Sequence, residues 1–309
     1  MPAIADRAAE LTEREEELLL YCARPRIDAD SAELIAGLAD DAVRWHALHR
    51  VARRHGVVPQ LYAALRKALR VVPESILAAL KQECDANAVR NLGMTSELVR
   101  VIRALERSGV AALAYKGPAL ALQAYGSLAA RQFGDLDILV RRSDIARARS
   151  ALGAIGYGGD AWPLVADENA YLRRAHVHVF SGADGTRLEL HWEFAPPELP
   201  VRLNVDEMWD RLQRIRLGDV NALALGPEDL LLVLCVHGCR HVWARLKGVC
   251  DVAQVILHLP LEWPVVFDRA QKLDAQRMLY LGLALSRDLL HVPVAPEINA
   301  IVDADPAVR

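Results

Sequence analysis

The sequence predicts an α+β protein, with a small mixed sheet in the centre of the chain and helical regions on either side. Three observations predict it. Apolar residues recur at helical spacing early in the chain, as in Ala8, Leu11, Leu18, Leu19 and Leu20, then Leu34, Ile35 and Leu38. Short apolar or alternating runs bounded by glycine take over between residues 108 and 226. From Pro227 onward the helical pattern returns. The expected organisation is a helical region over 1–107, an α/β core over 108–226 and a second helical region over 227–309.

The first region reads as helix from Asp6 to about Ser108. Asp40 to Arg54 reads as a further helical segment and carries Val43, Trp45, Leu48 and Val51. His55-Gly56 then stops the helix, because glycine tolerates the left-handed cap. Pro59 opens a helix over Gln60–Leu69, and a long helix runs from about Pro73 to Ser108. In the centre, Val110–Tyr115 reads as a buried strand between glycines. Pro118 suits the first turn of a helix ending near Tyr125-Gly126. Asp135–Val140 is the second strand, and Ser143 is expected to cap a helix over Asp144–Leu152. That helix ends in the glycines of 153–159, and Asp167–Arg174 reads as a short helix. His176–Phe180 and Thr186–Phe194 form a hairpin around Gly182–Gly185, where Asp-Gly is a strong turn signal. Asp206–Leu212 reads as helix, and Ile215–Leu225 as a strand pair turning at Gly218-Asp219. In the last region, Leu230–Leu259 is expected to be the longest helix. No internal repeat and no low-complexity segment interrupts this layout.

Composition narrows the function. The chain has 309 residues, about half apolar, and a formal net charge of −3. A protein that coats nucleic acid needs a basic excess, so strong general nucleic-acid affinity is not expected. The 5 cysteines form no C-x-x-C and no paired framework, which reads as reduced and intracellular. Met1–Glu17 lacks the apolar stretch of a signal peptide. The longest apolar run, Leu230–Val236, is too short to span a bilayer. The expected location is the cytoplasm, away from membranes.

The chemistry concentrates around Asp135-Leu136-Asp137. Alternation on a strand sends both carboxylates to one face and Leu136, Ile138 and Val140 to the other. Like charges side by side need compensation, and hard oxygen ligands suit Mg²⁺, with Mn²⁺ as an alternative. Phosphoryl and nucleotidyl transfer often use two metals about 3.5–4 Å apart, which three carboxylates on neighbouring strands can hold. Glu189, between Leu188 and Leu190, is the best third acid, with Glu193 as the fallback; His191 shares the face of Glu189. Lys116-Gly117 opens a helix, whose N-terminus suits an anionic phosphate, and Arg131 is a second phosphate contact. Singly these signals are weak: a lone D-x-D is common and Lys-Gly often merely solvated. Their ordered conjunction has one mechanistic rationale.

His237 and His241 stand at i, i+4 beside Cys235 and Cys239, a spacing that can bind zinc. No glutamate or further ligand accompanies them, so packing or substrate contact is the preferred reading. Lys247 and Asp251, also at i, i+4, read as a surface pair or as the lining of a cleft facing the acids. His176 and His178 share a strand face as partly buried core or cleft residues. His191, His237, His241, Lys247 and Asp251 are the candidate substrate contacts.

The run from Tyr115 to Leu122, then Tyr125-Gly126, Arg131 and Gly134–Val140, resembles the nucleotidyltransferases of the DNA polymerase β superfamily. More narrowly, it resembles the bacterial branch of uncharacterised nucleotidyltransferases, through Glu189–Trp192 and through Leu234, His237, His241, Trp243, Leu246 and Asp251. Trp45 and His55–Pro59 resemble that branch's helical N-terminus, so the likeness covers about 45–258. It implies a polymerase-β-like core with Asp135 and Asp137 on both metal ions, and Glu189 as third acid and helper in deprotonating the acceptor. It implies NMP transfer from an NTP to an acceptor (small molecule, peptide, protein or RNA), with release of pyrophosphate. The superfamily's usual Gly-Ser pair is replaced here by Lys116-Gly117-Pro118. The rival readings are a kinase-like or toxin-type phosphotransferase on the same core, and a catalytically silent nucleotide-binding module.

Overall fold

The computed structural model describes residues 11–67, 72–159, 165–201 and 205–308. Helical readings before Leu11 and beyond Lys67 in the fourth helix therefore lie outside the described residues. The chain opens with α1 (Glu13–Ala23), α2 (Ala29–Leu38), α3 (Trp45–His55), α4 (Val58–Leu65) and α5 (Glu74–Arg107). Thr12 and Glu15 cap α1 reciprocally, and Asp28 caps α2 through the Ser31 amide. Helix α3 starts at Trp45, later than the Asp40 expected, and ends at Gly56 with φ +71° in the left-handed region. At 34 residues α5 is the longest helix, about 51 Å at 1.5 Å per residue.

The centre holds β1 (Ala112–Ala114), α6 (Gly117–Tyr125), β2 (Asp135–Val140), α7 (Ile145–Ala154), β3 (Gly158–Gly159) and α8 (Val165–Arg174). It continues through β4 (Val177–Ser181), β5 (Arg187–His191), α9 (Val205–Trp209), β6 (Gln213–Leu217) and β7 (Val220–Ala224). The strands make one mixed sheet in the order β3-β4-β5-β2-β1-β7-β6. β2 pairs antiparallel with β1 and parallel with β5. Ser143 is not a cap: a short 3-10 turn at Arg142–Asp144 leads into α7, whose N-cap is Asp144 without a side-chain bond.

The C-terminal helices are α10 (Pro227–Arg240), α11 (Leu246–His258), α12 (Trp263–Lys272), α13 (Gln276–Leu290) and α14 (Pro296–Ala304). The single helix expected over Leu230–Leu259 is thus two helices. The break has a local cause. Val242 and Trp243 take φ of +47° and +51°, and the Trp243 amide donates back to the Gly238 carbonyl at 2.8 Å. The indole lies where a side chain at 238 would be, 2.5 Å from an ideal Cβ, so only glycine lets the chain fold over its own helix.

Each face of the sheet is buried differently. Leu136, Ile138, Val140, Leu188 and Leu190 pack in one apolar cluster with Leu98, Val101 and Leu105 of α5 and Ala148 and Leu152 of α7. On the other face Leu113, Leu139 and Tyr115 join Leu231, Cys235 and Leu283 of the C-terminal helices. A third cluster joins α1, α3 and α4 to Leu246, Val249 and Ala253 of α11. The acids therefore open onto the face that the C-terminal helices wall. Among the described residues, no helix is long and apolar enough to cross a membrane.

Candidate active site

Parallel pairing of β2 with β5 sets the site. The register places Asp137 opposite Glu189, Asp135 opposite Arg187 and Leu139 opposite His191. Residues opposite one another share a face, so one row carries two carboxylates, one from each strand. Asp137 is 4% exposed. Lys116 Nζ lies 2.5 Å from Asp137 Oδ1. His191 Nε2 lies 3.3 Å from the same oxygen and 3.4 Å from Glu189 Oε2. Arg187 donates to Glu189 Oε1 at 2.8 Å. The Lys116 and His191 contacts with Asp137 are within ion-pair distance but lack hydrogen-bond angles, so Asp137 Oδ1 and both His191 nitrogens are buried without hydrogen-bond partners.

The surroundings order the carboxylates. Burial works to raise the Asp137 pKa, but Lys116 and His191 overcome it and hold the group far below the usual carboxylate range. The close approach of His191, with Arg187, holds Glu189 at about 2. Asp135 is raised by its burial and by the charge of Asp137 and then of Glu189, although Lys116 offsets part of this. Glu189 is therefore a poor proton acceptor in this arrangement.

One atom each from Asp137, Glu189 and His191 lies within 4.8 Å of the other two. This is the one grouping of three or more metal-ligand side chains among the described residues. Asp135 stands one pleat along, so His191 joins the tight cluster where the sequence reading had Asp135. A buried carboxylate oxygen without a hydrogen bond, beside a second carboxylate, is a donor set that suits a hard divalent cation, and the imidazole adds a nitrogen that Mn²⁺ accepts. Glu193 is elsewhere, in a separate pocket with Arg142, Arg173 and Pro196.

Helix α6 begins beside the acids. Gly117 has φ +54°, and a Cβ there would meet the Asp135 carbonyl oxygen at 3.4 Å, so glycine lets this helix start abut β2. Lys116 Nζ also lies 5.2 Å from the ring of buried Tyr115, whose edge contacts involve His191 and Phe194.

Two expectations change on the far wall. Lys247 and Asp251 are not a surface pair. Asp251 is buried and takes a two-pronged bond from Arg131, Nε at 2.7 Å and Nη2 at 2.8 Å. Lys247 donates to the Gln132 carbonyl at 3.3 Å, its stem lying in the space left by Gly56. Burial and the nearby Arg131 push its pKa down to about 8, despite Asp251 and Asp135. His176 and His178 do not share surroundings. His178 bonds Tyr171 on the apolar side, whereas the His176 ring lies 6.1 Å from that of His191. The Trp192 and Glu193 amides both donate to the His176 carbonyl, a bulge-like irregularity that breaks the alternation. His237 and His241 have ring centroids 4.5 Å apart and belong to no group of three metal ligands among the described residues.

The model of the family described as uncharacterised nucleotidyltransferase matches residues 41–291. The chain belongs to this family. No curated protein matches the chain. Family membership supports a general role in nucleotidyl transfer, with an NTP as substrate. The match covers α3–α13, and so includes both walls of the acid cluster. Within it, the sequence reading assigned no site role to Tyr115 or Arg240. Arg240 was legible as the i+3 neighbour of His237 on one helical face. Tyr115 carried no such signal, since a tyrosine at the end of a buried strand is ordinary core.

Proposed function

We propose that the protein is a divalent-metal-dependent nucleotidyltransferase that moves a nucleoside monophosphate from an NTP to an acceptor and releases pyrophosphate. The observation that carries this reading is Asp137 opposed to Glu189 on parallel neighbouring strands, beside Lys116 at a helix start. Asp135, Asp137 and Glu189 would hold Mg²⁺, or Mn²⁺ with His191 as an additional ligand. A metal bound there supplies positive charge to the phosphate oxygens. Lys116 and the start of α6 meet the triphosphate, the lysine exchanging Asp137 for a phosphate oxygen. Gly117 keeps that approach clear of a side chain.

The reaction balances simply. The acceptor oxygen bonds to the α-phosphorus, the bond from that phosphorus to the bridging oxygen breaks, and pyrophosphate leaves with the electron pair. The acceptor proton passes to Asp135, the one of the three acids whose proton affinity is raised. Arg131 acts through position: Asp251 holds its guanidinium, while the Asn87 and Asn91 amides hold its carbonyl at 3.3 and 2.8 Å. It thereby anchors the segment that delivers β2.

A thermal-shift panel of the four NTPs with and without Mg²⁺, followed by mass spectrometry of acceptor candidates, tests the reading. Metal-dependent stabilisation and a product heavier by one NMP are expected. A product heavier by one phosphate would replace this reading with phosphotransfer, and absence of any NTP effect would end it.

A further inference from the structure

We propose a second ligand site: the cavity bordered by the end of α1, by α4 and by α11 binds a neutral, planar heterocycle of the nucleobase kind, anchored by the Gln254 carboxamide. This site stands apart from the acids and does not depend on the nucleotidyltransferase reading.

The cavity holds about 510 Å³, within the range of small-molecule sites. Among the described residues, its lining includes neither the clustered acids nor Lys116 or Gly117. It lies behind the Arg131–Asp251 pair instead. Tyr125 forms part of its wall, and the Tyr125 hydroxyl donates to Asp251 Oδ1 at 2.7 Å. Ala129 and Ala130, which lead into Arg131, form another part, and the Gln60 amide donates to the Ala130 carbonyl at 3.0 Å.

Polar groups around this cavity lack partners. Asp251 and Gln254 stand at i, i+3 on one face of α11. Asp251 holds Arg131, whereas Gln254, which lines the cavity and is 8% exposed, makes no side-chain hydrogen bond among the described residues. Gln60 Oε1 on α4 and Arg24 Nε after α1 are enclosed without hydrogen-bond partners, and both residues line the same cavity. An acceptor, a donor and a carboxamide offering both thus border one space. Leaving them unpaired is costly unless a ligand completes them.

The neighbouring charges already have protein partners, which selects an uncharged ligand. Arg24 Nη1 donates to Ser31 Oγ at 3.2 Å, and its guanidinium carbon lies 3.7 Å from the centre of the Tyr21 ring. Lys67 donates to the Ile27 carbonyl at 3.4 Å, and Lys81 donates to Asp85 at 2.6 Å. A carboxamide presents a donor and an acceptor in one plane, which matches the edge of a base, as when glutamine reads adenine. Pro25, Pro59, Ala88 and Tyr62 supply apolar surface for the faces of a ring.

Full-length protein is titrated calorimetrically with adenosine, guanosine, cytidine and uridine, alone and with a saturating Mg²⁺ complex of α,β-methylene ATP. At least one nucleoside should bind, and its binding should persist beside the analogue. Gln254→Leu should weaken it by about tenfold or more, the discrimination expected of a two-bond contact to a base. Ala88→Phe, which narrows the cavity and keeps Gln254, should also weaken it, with urea midpoints reporting the fold of both variants. In the wild type, the Gln254 side-chain amide signals should shift in NMR spectra on nucleoside addition, a readout that needs no variant. No binding of any of the four, unshifted Gln254 signals, equal affinity in Gln254→Leu, or complete displacement by the analogue would overturn the site. Inorganic phosphate binding more tightly than every nucleoside would overturn the assignment of an uncharged ligand. Gln254-dependent nucleoside binding without any analogue binding would instead remove the nucleotidyltransferase reading and keep this site.

Discussion

Replacing Asp251 with asparagine isolates a buried charge pair that links the C-terminal helices to the segment leading into the strand of the acids. Arg131 and Asp251 side chains are each 5% exposed. The carboxylate accepts from Arg131 at 2.7 and 2.8 Å, and from the Tyr125 hydroxyl at 2.7 Å. Unit charges about 4 Å apart attract by about 4 kcal/mol at an effective dielectric near 20. Breaking such a pair by removing one partner costs about 3–5 kcal/mol, because the other charge stays buried. Against a typical total of about 5–15 kcal/mol, that is a large fraction. Urea unfolding of Asp251→Asn should therefore show a midpoint lower by about 1 M or more at unchanged slope. Arg131→Met should fall similarly. Combining Arg131→Met with Asp251→Asn removes both charges but leaves Tyr125 an acceptor, so the double variant should lie nearer the wild type than either single. If Arg131 served only as a phosphate contact, these variants would keep their stability and lose only nucleotide binding. A shift within about 1 kcal/mol for Asp251→Asn would refute the reasoning.

Gly238→Ala should destabilise by about 1–3 kcal/mol, since its Cβ would stand 2.5 Å from the Trp243 indole; a thermal midpoint equal to wild type would contradict the fold-back. His176 makes stability pH-dependent. Its pKa falls from 6.5 to about 4 on folding, so between those values the unfolded chain binds more protons. Stability is then lost as pH falls through that window, by about 3 kcal/mol from this group. Glu189, lowered from 4.5 to about 2, adds a loss of the same sign at lower pH. Urea midpoints at pH 7 and pH 5 should differ less in His176→Gln than in the wild type, and equal differences would be the contrary result. Gly117→Ala should cost about 1–2 kcal/mol from its φ of +54° and weaken NTP binding, read by thermal shift with and without nucleotide.

The acid cluster was legible because its signals are local. Alternation alone predicted β2 over Asp135–Val140 and put both aspartates on one face. Glu189 between two leucines marked the facing row, and Asp-Gly marked the hairpin between β4 and β5. The parts that were not legible depend on distance along the chain or on backbone exceptions. Arg131 and Asp251 are 120 positions apart, and no local pattern pairs them. The end of α10 escaped prediction because Val242 and Trp243 adopt a conformation that glycine, not valine or tryptophan, usually signals. The true cue was Gly238, four residues earlier. His176 left the face expected from alternation because two amides share its carbonyl.

Calorimetric titration of a non-hydrolysable NTP into wild type and Asp137→Asn, each with Mg²⁺ and with chelator, tests the central claim most directly. The account predicts binding that requires both the metal and the Asp137 carboxylate, with circular dichroism unchanged in the variant. Equal affinity in the variant, or binding that persists in chelator, would contradict it.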